Sequence, residues 1–185
     1  MTATTETASS SIPGRESKTD SNGGNLIRAL VRIALGWIFL WAFLDKLLGL
    51  GRATPSSRAW INGGHPTSGY LQSVSGPESE NPVRGVFDAL AGQGWVDWLF
   101  MLGLLGIGTA LVLGVALRVT AVCAVVLLGF LWLSVLPLEN NPAVDEHIVY
   151  ALVIVWLAAV NAGDTLGLGR WWSRLPLVRS TPVLR

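Results

Sequence analysis

The chain is poor in charge, cysteine and histidine. Of its 185 residues only 14% are Asp, Glu, Lys or Arg, well below the ~25% of an ordinary soluble domain. A water-facing surface needs more charge than that, which argues against soluble enzyme folds. Cys123 is the single cysteine, so neither an intrachain disulfide nor a CxxC redox pair can form, and a thiol oxidase working through its own cysteines is excluded. His65 and His147 are the only histidines. With no Cys/His cluster at ligand spacing, no zinc, haem or other metal site built by this chain alone is expected. There is no glycine-rich phosphate loop after a strand and no serine-nucleophile motif. No nucleic-acid partner is expected either.

What the chain has instead is apolar: 51% hydrophobic residues, with 21 Gly and nine Trp, and a mean hydropathy of +0.50. Four runs reach or approach the ~20 residues that a helix rising ~1.5 Å per residue needs to cross ~30 Å of hydrocarbon. They cover about 26–48, 95–117, 119–136 and 145–162. Their length and lack of apolar/polar alternation predict helices rather than barrel strands. The fold class expected is all-α, an integral membrane four-helix bundle. Only Arg118 separates the second run from the third, which predicts a tight hairpin there, and Gly106, Ala110 and Gly114 form a small-residue stripe suited to close packing.

Outside the runs, residues 1–25 are Ser/Thr-rich and predicted to be a disordered tail. No apolar core of the kind a cleavable signal peptide needs lies within them. Residues 164–185 form a basic tail. Arg15, Lys18, Arg28, Arg32, Arg118, Arg170, Arg174, Arg179 and Arg185 fall on one side of the implied membrane; most of the acids fall on the other. The positive-inside rule then places both termini in the cytoplasm of a cell whose plasma or inner membrane this multi-pass chain occupies. In the long outer segment, Asn81 as N-cap, Pro82 at the first helical position, and Val83, Val86, Phe87 and Leu90 at helical spacing predict a short amphipathic helix ending near Gly92. Asn141 and Pro142 predict the start of the fourth helix.

Chemistry is expected where ionisable residues sit at span ends. Asp45 and Lys46 close the first run; Glu146 and His147 open the fourth; all four are expected at similar depth around one outer mouth. His147 has the proton-transfer range that quinone reduction requires. Lys46, with Arg52, Arg58 and Arg84 as substrate-binding cations, suits a small oxyanion. Trp37 and Trp41, four residues apart, together with Tyr150 on the His147 face, are candidates to line a quinone pocket. The structural alternative is that Lys46 snorkels, the acids face water and the tryptophans fill a core.

These segments resemble the DoxX/DoxD family of small four-helix membrane proteins. The resemblance is carried by LVRIALGWIFLWAFLDKLLG, SGYLQSVSGPESENPVRGVFDAL, WLFMLGLLGIGTALVLGVALRVTA and NNPAVDEHIVYALVIVWLA. It implies a helical bundle acting with a second oxidoreductase subunit, in one branch oxidising thiosulfate and passing electrons to membrane quinone. It equally implies a non-catalytic anchor for a soluble redox or sulfur-transfer partner. Membrane lipid is a partner on either reading, and a small-residue stripe could also serve a homodimer.

Overall fold

The computed structural model describes residues 17–139 and 141–184. Eight α-helices occur among them, with no strand: α1 Ser17–Leu48, α2 Ser68–Ser75, α3 Arg84–Leu90, α4 Gly94–Leu113, α5 Leu117–Ser134, α6 Glu146–Ala159, α7 Gly169–Trp172 and α8 Pro176–Ser180. Three of them, α1, α4 and α5, are long and apolar enough to cross a membrane, while α6 is a shorter apolar helix. The chain is a multi-pass helical membrane protein.

Packing follows a narrow stripe on each helix. Leu35 and Phe39 of α1, Met101, Leu104, Ile107 and Leu111 of α4, Leu117, Ala121, Ala124 and Leu128 of α5, and Ile154, Leu157 and Ala158 of α6 make one core. The three- and four-residue steps keep each set on one helical face. Only 28% to 33% of the three long apolar stretches is buried, so the larger part of each faces outward. Lipid suits those faces, because bilayer hydrocarbon is as apolar as leucine and van der Waals fit, rather than exclusion from water, must hold the helices together. α1 packs chiefly on α4 and α5 chiefly on α6, and a smaller α4–α5 contact joins the two pairs. At the α1–α4 seam the backbones nearly touch. A Cβ on Gly36 would stand 2.8 Å from Val112 N, and one on Gly108 2.8 Å from Leu40 N. Gly106, in contrast, has nothing within 4 Å of its would-be Cβ. Of the expected stripe of Gly106, Ala110 and Gly114, Gly106 therefore lies off the α1–α4 seam, whereas a Cβ on Gly114 would stand 2.8 Å from Gly163 Cα.

Several boundaries differ from the sequence expectations, each for a local reason. α1 begins at Ser17, so residues 17–25 of the predicted disordered tail are helical; residues 1–16 lie outside the described residues. The apolar run marks where the embedded part starts, and a helix continues past it into water without cost to its hydrogen bonds. The hairpin turns at Gly114, not at Arg118. Gly114 takes the left-handed conformation (φ +71) and its N–H returns to the carbonyls of Ala110 and Leu111, an ending for which glycine is the usual residue. Hydropathy runs on through Val115, Ala116 and Leu117, which hid the break. α6 begins at Glu146 because the Asp145 carboxylate caps it, accepting from the N–H groups of His147 and Ile148. Asn141 makes a separate turn upstream. At 14 residues, α6 rises ~21 Å, short of the ~30 Å hydrocarbon core. The segment expected to be a basic tail is folded. It forms α7 and α8, with Val178 buried and the Trp172 indole donating to Leu184 O at 2.6 Å.

Candidate functional site

The bundle has two polar ends, and backbone accounting shows how each is made. At one end stands Arg32, fully buried at 0% exposure although it lies within the apolar run. Its Nη1 donates to the carbonyls of Leu111 and of Val112, the latter at 2.9 Å. Nη2 donates to Thr165 O at 3.3 Å and Leu166 O at 2.8 Å. A helix leaves its last four carbonyls without intrahelical partners. In α4 all four are satisfied: Ala110 by the N–H groups of Gly114 and Val115, Leu111 and Val112 by Arg32, and Leu113 by Leu168 N at 2.8 Å. The guanidinium also faces the negative end of the α4 dipole. Its planar fork reaches two pairs of acceptors at once, which an ammonium cannot do. Arg32 thus fastens α1, the end of α4 and the segment after α6 in one knot. Sequence reasoning counted it only as a cytoplasmic charge; its position six residues inside the run beginning at Leu26 was the available signal.

The opposite end carries the residues expected to form an outer mouth. Asp45 is buried and accepts from the N–H groups of Arg52 (3.2 Å) and Ala53 (3.0 Å). It closes the turn after α1. Lys46 places its Nζ 5.9 Å from the centre of the Phe100 ring on α4, within cation–π range. Glu146 is exposed. His147 is half-buried, and its Nδ1 lies 2.7 Å from Asp145 Oδ2. Burial pushes the Asp145 carboxyl up, but hydrogen bonds and charge from His147, with a further bond from Ile148 N, outweigh it and hold the group below its ordinary range. Each span end is organised, but by its own neighbours: Asp45 by the loop after α1, His147 by the residue that caps its own helix. Among the described residues no hydrogen bond or ion pair joins the Asp45–Lys46 pair to Glu146 or His147.

Two anchors at this end were missed in the sequence. Asp97, in the first turn of α4, is buried, and its carboxylate accepts from Thr67 N at 2.9 Å and Thr67 Oγ1 at 2.6 Å, with His65 Nδ1 2.9 Å from the other oxygen. Asn81 is buried as well. Its Oδ1 accepts from Val83 N at 2.8 Å just ahead of α3, whose N-cap is Val83, while its Nδ2 donates to the carbonyls of Leu133 and Ser134 at 2.9 Å each and so closes the end of α5. Tyr70 of the unexpected helix α2 adds a 2.6 Å bond to Ser134 Oγ. The outer segment is therefore strapped to the bundle at Asp45, Asp97 and Ser134. The short helix expected near Phe87 exists as α3 and buries that ring.

Arg52, Arg58 and Arg84 are exposed on separate turns of this segment, and Arg84 Nη1 contacts the carbonyls of Pro77 and Ser79 at 3.3 and 3.4 Å. The Trp37 and Trp41 rings lie 6.0 Å apart, tilted by 40°, on the outward face of α1, 53% and 38% exposed, whereas Tyr150 packs against the core from α6. The tryptophans thus present an open, lipid-facing surface and do not fill a core. With Tyr150 turned inward, the three aromatics do not form a single enclosed quinone pocket within this chain. Asp145, Glu146 and His147 each offer a ligand atom within 4.8 Å of the others, closer than the expectation of no metal site allowed for, although Asp145 Oδ1 already accepts the cap bonds of α6 and Oδ2 pairs with His147 Nδ1.

Set against protein-family models, curated proteins and solved structures, the chain matches none of them.

Proposed function

We propose that the chain is a DoxX-like membrane subunit of a quinone-linked oxidoreductase, with thiosulfate or a similar small sulfur compound oxidised at the loop end and a companion subunit completing the quinone site. The observation that carries this reading is the half-buried His147–Asp145 pair at the start of α6. Two-electron reduction of a quinone takes up two protons. An imidazole with one nitrogen oriented by a carboxylate is suited to holding and delivering a proton from the other. Lys46, at the same end of the bundle, supplies a cation for an oxyanion. The segment resemblance to the DoxX/DoxD family supports the reaction class and the companion.

Orientation belongs to the same proposal. Lys18, Arg28, Arg118, Arg170, Arg174 and Arg179 lie toward the Arg32 end, with Asp20 and Asp164 as acids there; the loop end holds Asp45, Glu78, Glu80, Asp88, Asp97, Glu139, Asp145 and Glu146 against Lys46, Arg52, Arg58 and Arg84. The positive-inside rule makes the Arg32 end cytoplasmic, with α6 as a fourth, short crossing in a bacterial or archaeal plasma membrane. A crossing shorter than the bilayer is accommodated by local thinning or by anchoring of its flanks. The outward face bearing Trp37 and Trp41 meets lipid or a second copy of the chain.

Thiosulfate-dependent reduction of a short-chain quinone by the purified chain with its copurifying partner tests the reading. His147→Gln is expected to lower turnover at least ~100-fold, the scale of a lost general acid or base, and Lys46→Met to raise KM. Full rates in both variants would remove the site.

The second reading, a non-catalytic anchor, is favoured by one observation: Asp45, Asp97 and Asn81 are all committed to holding the outer segment in place. A stoichiometric partner in a pull-down, with turnover unaffected by His147→Gln, would establish it.

A further inference from the structure

Along the bundle surface between α5 and α6 runs an apolar groove of about 400 Å³, walled by Ala121, Val125, Val155, Ala158 and Ala159, with Arg118 also among its lining residues. The same Arg118 lines a second cavity of about 200 Å³ with Asn161, Gly163, Asp164, Trp172 and Ser173. Two cavities of opposite character therefore share one arginine. The apolar one lies along helix faces that point to lipid; the polar one lies where α5 begins and the folded C-terminal segment crosses. From Arg118 to Val126, the far lining residue on α5, is eight residues, or ~12 Å into the hydrocarbon.

We infer that this composite is a binding site for one anionic phospholipid of the leaflet at the Arg32 end, with an acyl chain in the α5–α6 groove and the phosphate at Arg118. Charge complementarity selects an anionic headgroup. Arg118 is joined at this end by the exposed Arg170, Arg174 and Arg179, against Asp164 as the acid lining the polar cavity. The lining also carries neutral hydrogen-bonding groups, the Asn161 amide and Ser173 hydroxyl, that suit phosphate and glycerol oxygens. Exposed Trp171, Leu177 and Val183 place the C-terminal segment at the depth of the headgroups, where aromatic and apolar side chains insert beside basic ones. The small side chains of Ala121, Ala158 and Ala159 leave the space that a chain fills. The site is distinct from the loop-end residues and does not rest on the reaction proposed for them.

The test uses the full-length protein reconstituted in nanodiscs of equal phosphatidylglycerol and phosphatidylcholine, followed by native mass spectrometry of the lipid retained after stepwise stripping. Wild type is expected to keep one phosphatidylglycerol. Arg118→Gln is expected to lower its occupancy about fivefold or more, the factor that one basic residue contributes at an anionic surface. Val155→Trp, which fills the groove from an exposed position and leaves Arg118 in place, is expected to remove the retained copy while the protein stays monodisperse. The combined Arg170→Gln, Arg174→Gln and Arg179→Gln variant is expected to lower its occupancy less than Arg118→Gln does, because these three add positive charge near the phosphate but line neither cavity. Equal retention of both lipids, retention unchanged by Arg118→Gln or Val155→Trp, a larger loss in the triple variant than in Arg118→Gln, or an isoprenoid quinone retained in place of phospholipid would each overturn the assignment.

Discussion

Replacing Arg32 by methionine removes the one side chain that fastens three parts of the bundle while roughly keeping its volume. The carbonyls of Val112, Thr165 and Leu166 lose their donor, while Leu111 keeps the Gly114 N–H, and each orphan that stays buried costs ~1–3 kcal/mol. Against that stands relief of the buried charge, whose desolvation is worth several kcal/mol and whose Nε has no partner. The net loss should be ~3–5 kcal/mol, the range for breaking a buried charged contact from one side. For a chain of this length ~2–4 °C accompanies each kcal/mol, so Tm should fall by roughly 6–20 °C. Arg32→Lys should recover only part of it, because a point ammonium reaches one pair of carbonyls and not both. The assay is thermal unfolding in detergent, followed by near-ultraviolet circular dichroism of the tryptophans. Gly114→Ala supplies the cross-check: a Cβ there would lie 2.8 Å from Arg32 Nη1, so its cost should be smaller in the Arg32→Met background than in wild type. A Tm within ~2 °C of wild type for Arg32→Met, which is less than ~1 kcal/mol, would refute the reasoning.

Other outcomes follow from the same geometry. Gly106→Ala, with open space around it, should be neutral or stabilising by up to ~1 kcal/mol through helix propensity; Gly108→Ala should lower Tm clearly, because the new methyl meets the α1 backbone. Asp145→Ala should cost ~1 kcal/mol of cap energy at neutral pH. Because the folded Asp145 pKa is depressed, this contribution is present above the unfolded value of ~3.9 and fades as pH falls through the lower folded value. The Tm gap between wild type and variant should therefore still be present at pH 5 and close only in stronger acid. Asp97→Ala should release the strap at Thr67 and His65, seen as faster amide exchange across residues 60–75 while α4 and α5 stay protected.

The membrane helices were legible because twenty-odd apolar residues permit few alternatives, and the outer helix at Phe87 was legible from its spacing. The polar contacts were not. Arg32 reads in sequence like any arginine near a span end, and only the arrival of the α4 terminus beside it reveals four carbonyls to satisfy. Asp45 and Asp97 read as acids at an interface, whereas both are buried acceptors for loop N–H groups that lie seven to thirty residues away. The hairpin at Gly114 was masked by uninterrupted hydrophobicity. Of the candidate site, the structure pairs His147 with Asp145, the residue that caps the same helix. It turns Trp37 and Trp41 outward, because two large aromatics cannot enter a seam where Gly36 brings backbones into contact.

The central claim is a multi-pass bundle with its Arg32 end and C-terminal segment in the cytoplasm and its strapped segment outside. Single cysteines introduced at Ser57 and Ser180, both exposed, in a Cys123→Ser background test it by labelling intact cells with a membrane-impermeant maleimide. Labelling of Ser57→Cys without permeabilisation, and of Ser180→Cys only after it, is the predicted result. Equal labelling of both in intact cells, or the reverse order, would contradict the account.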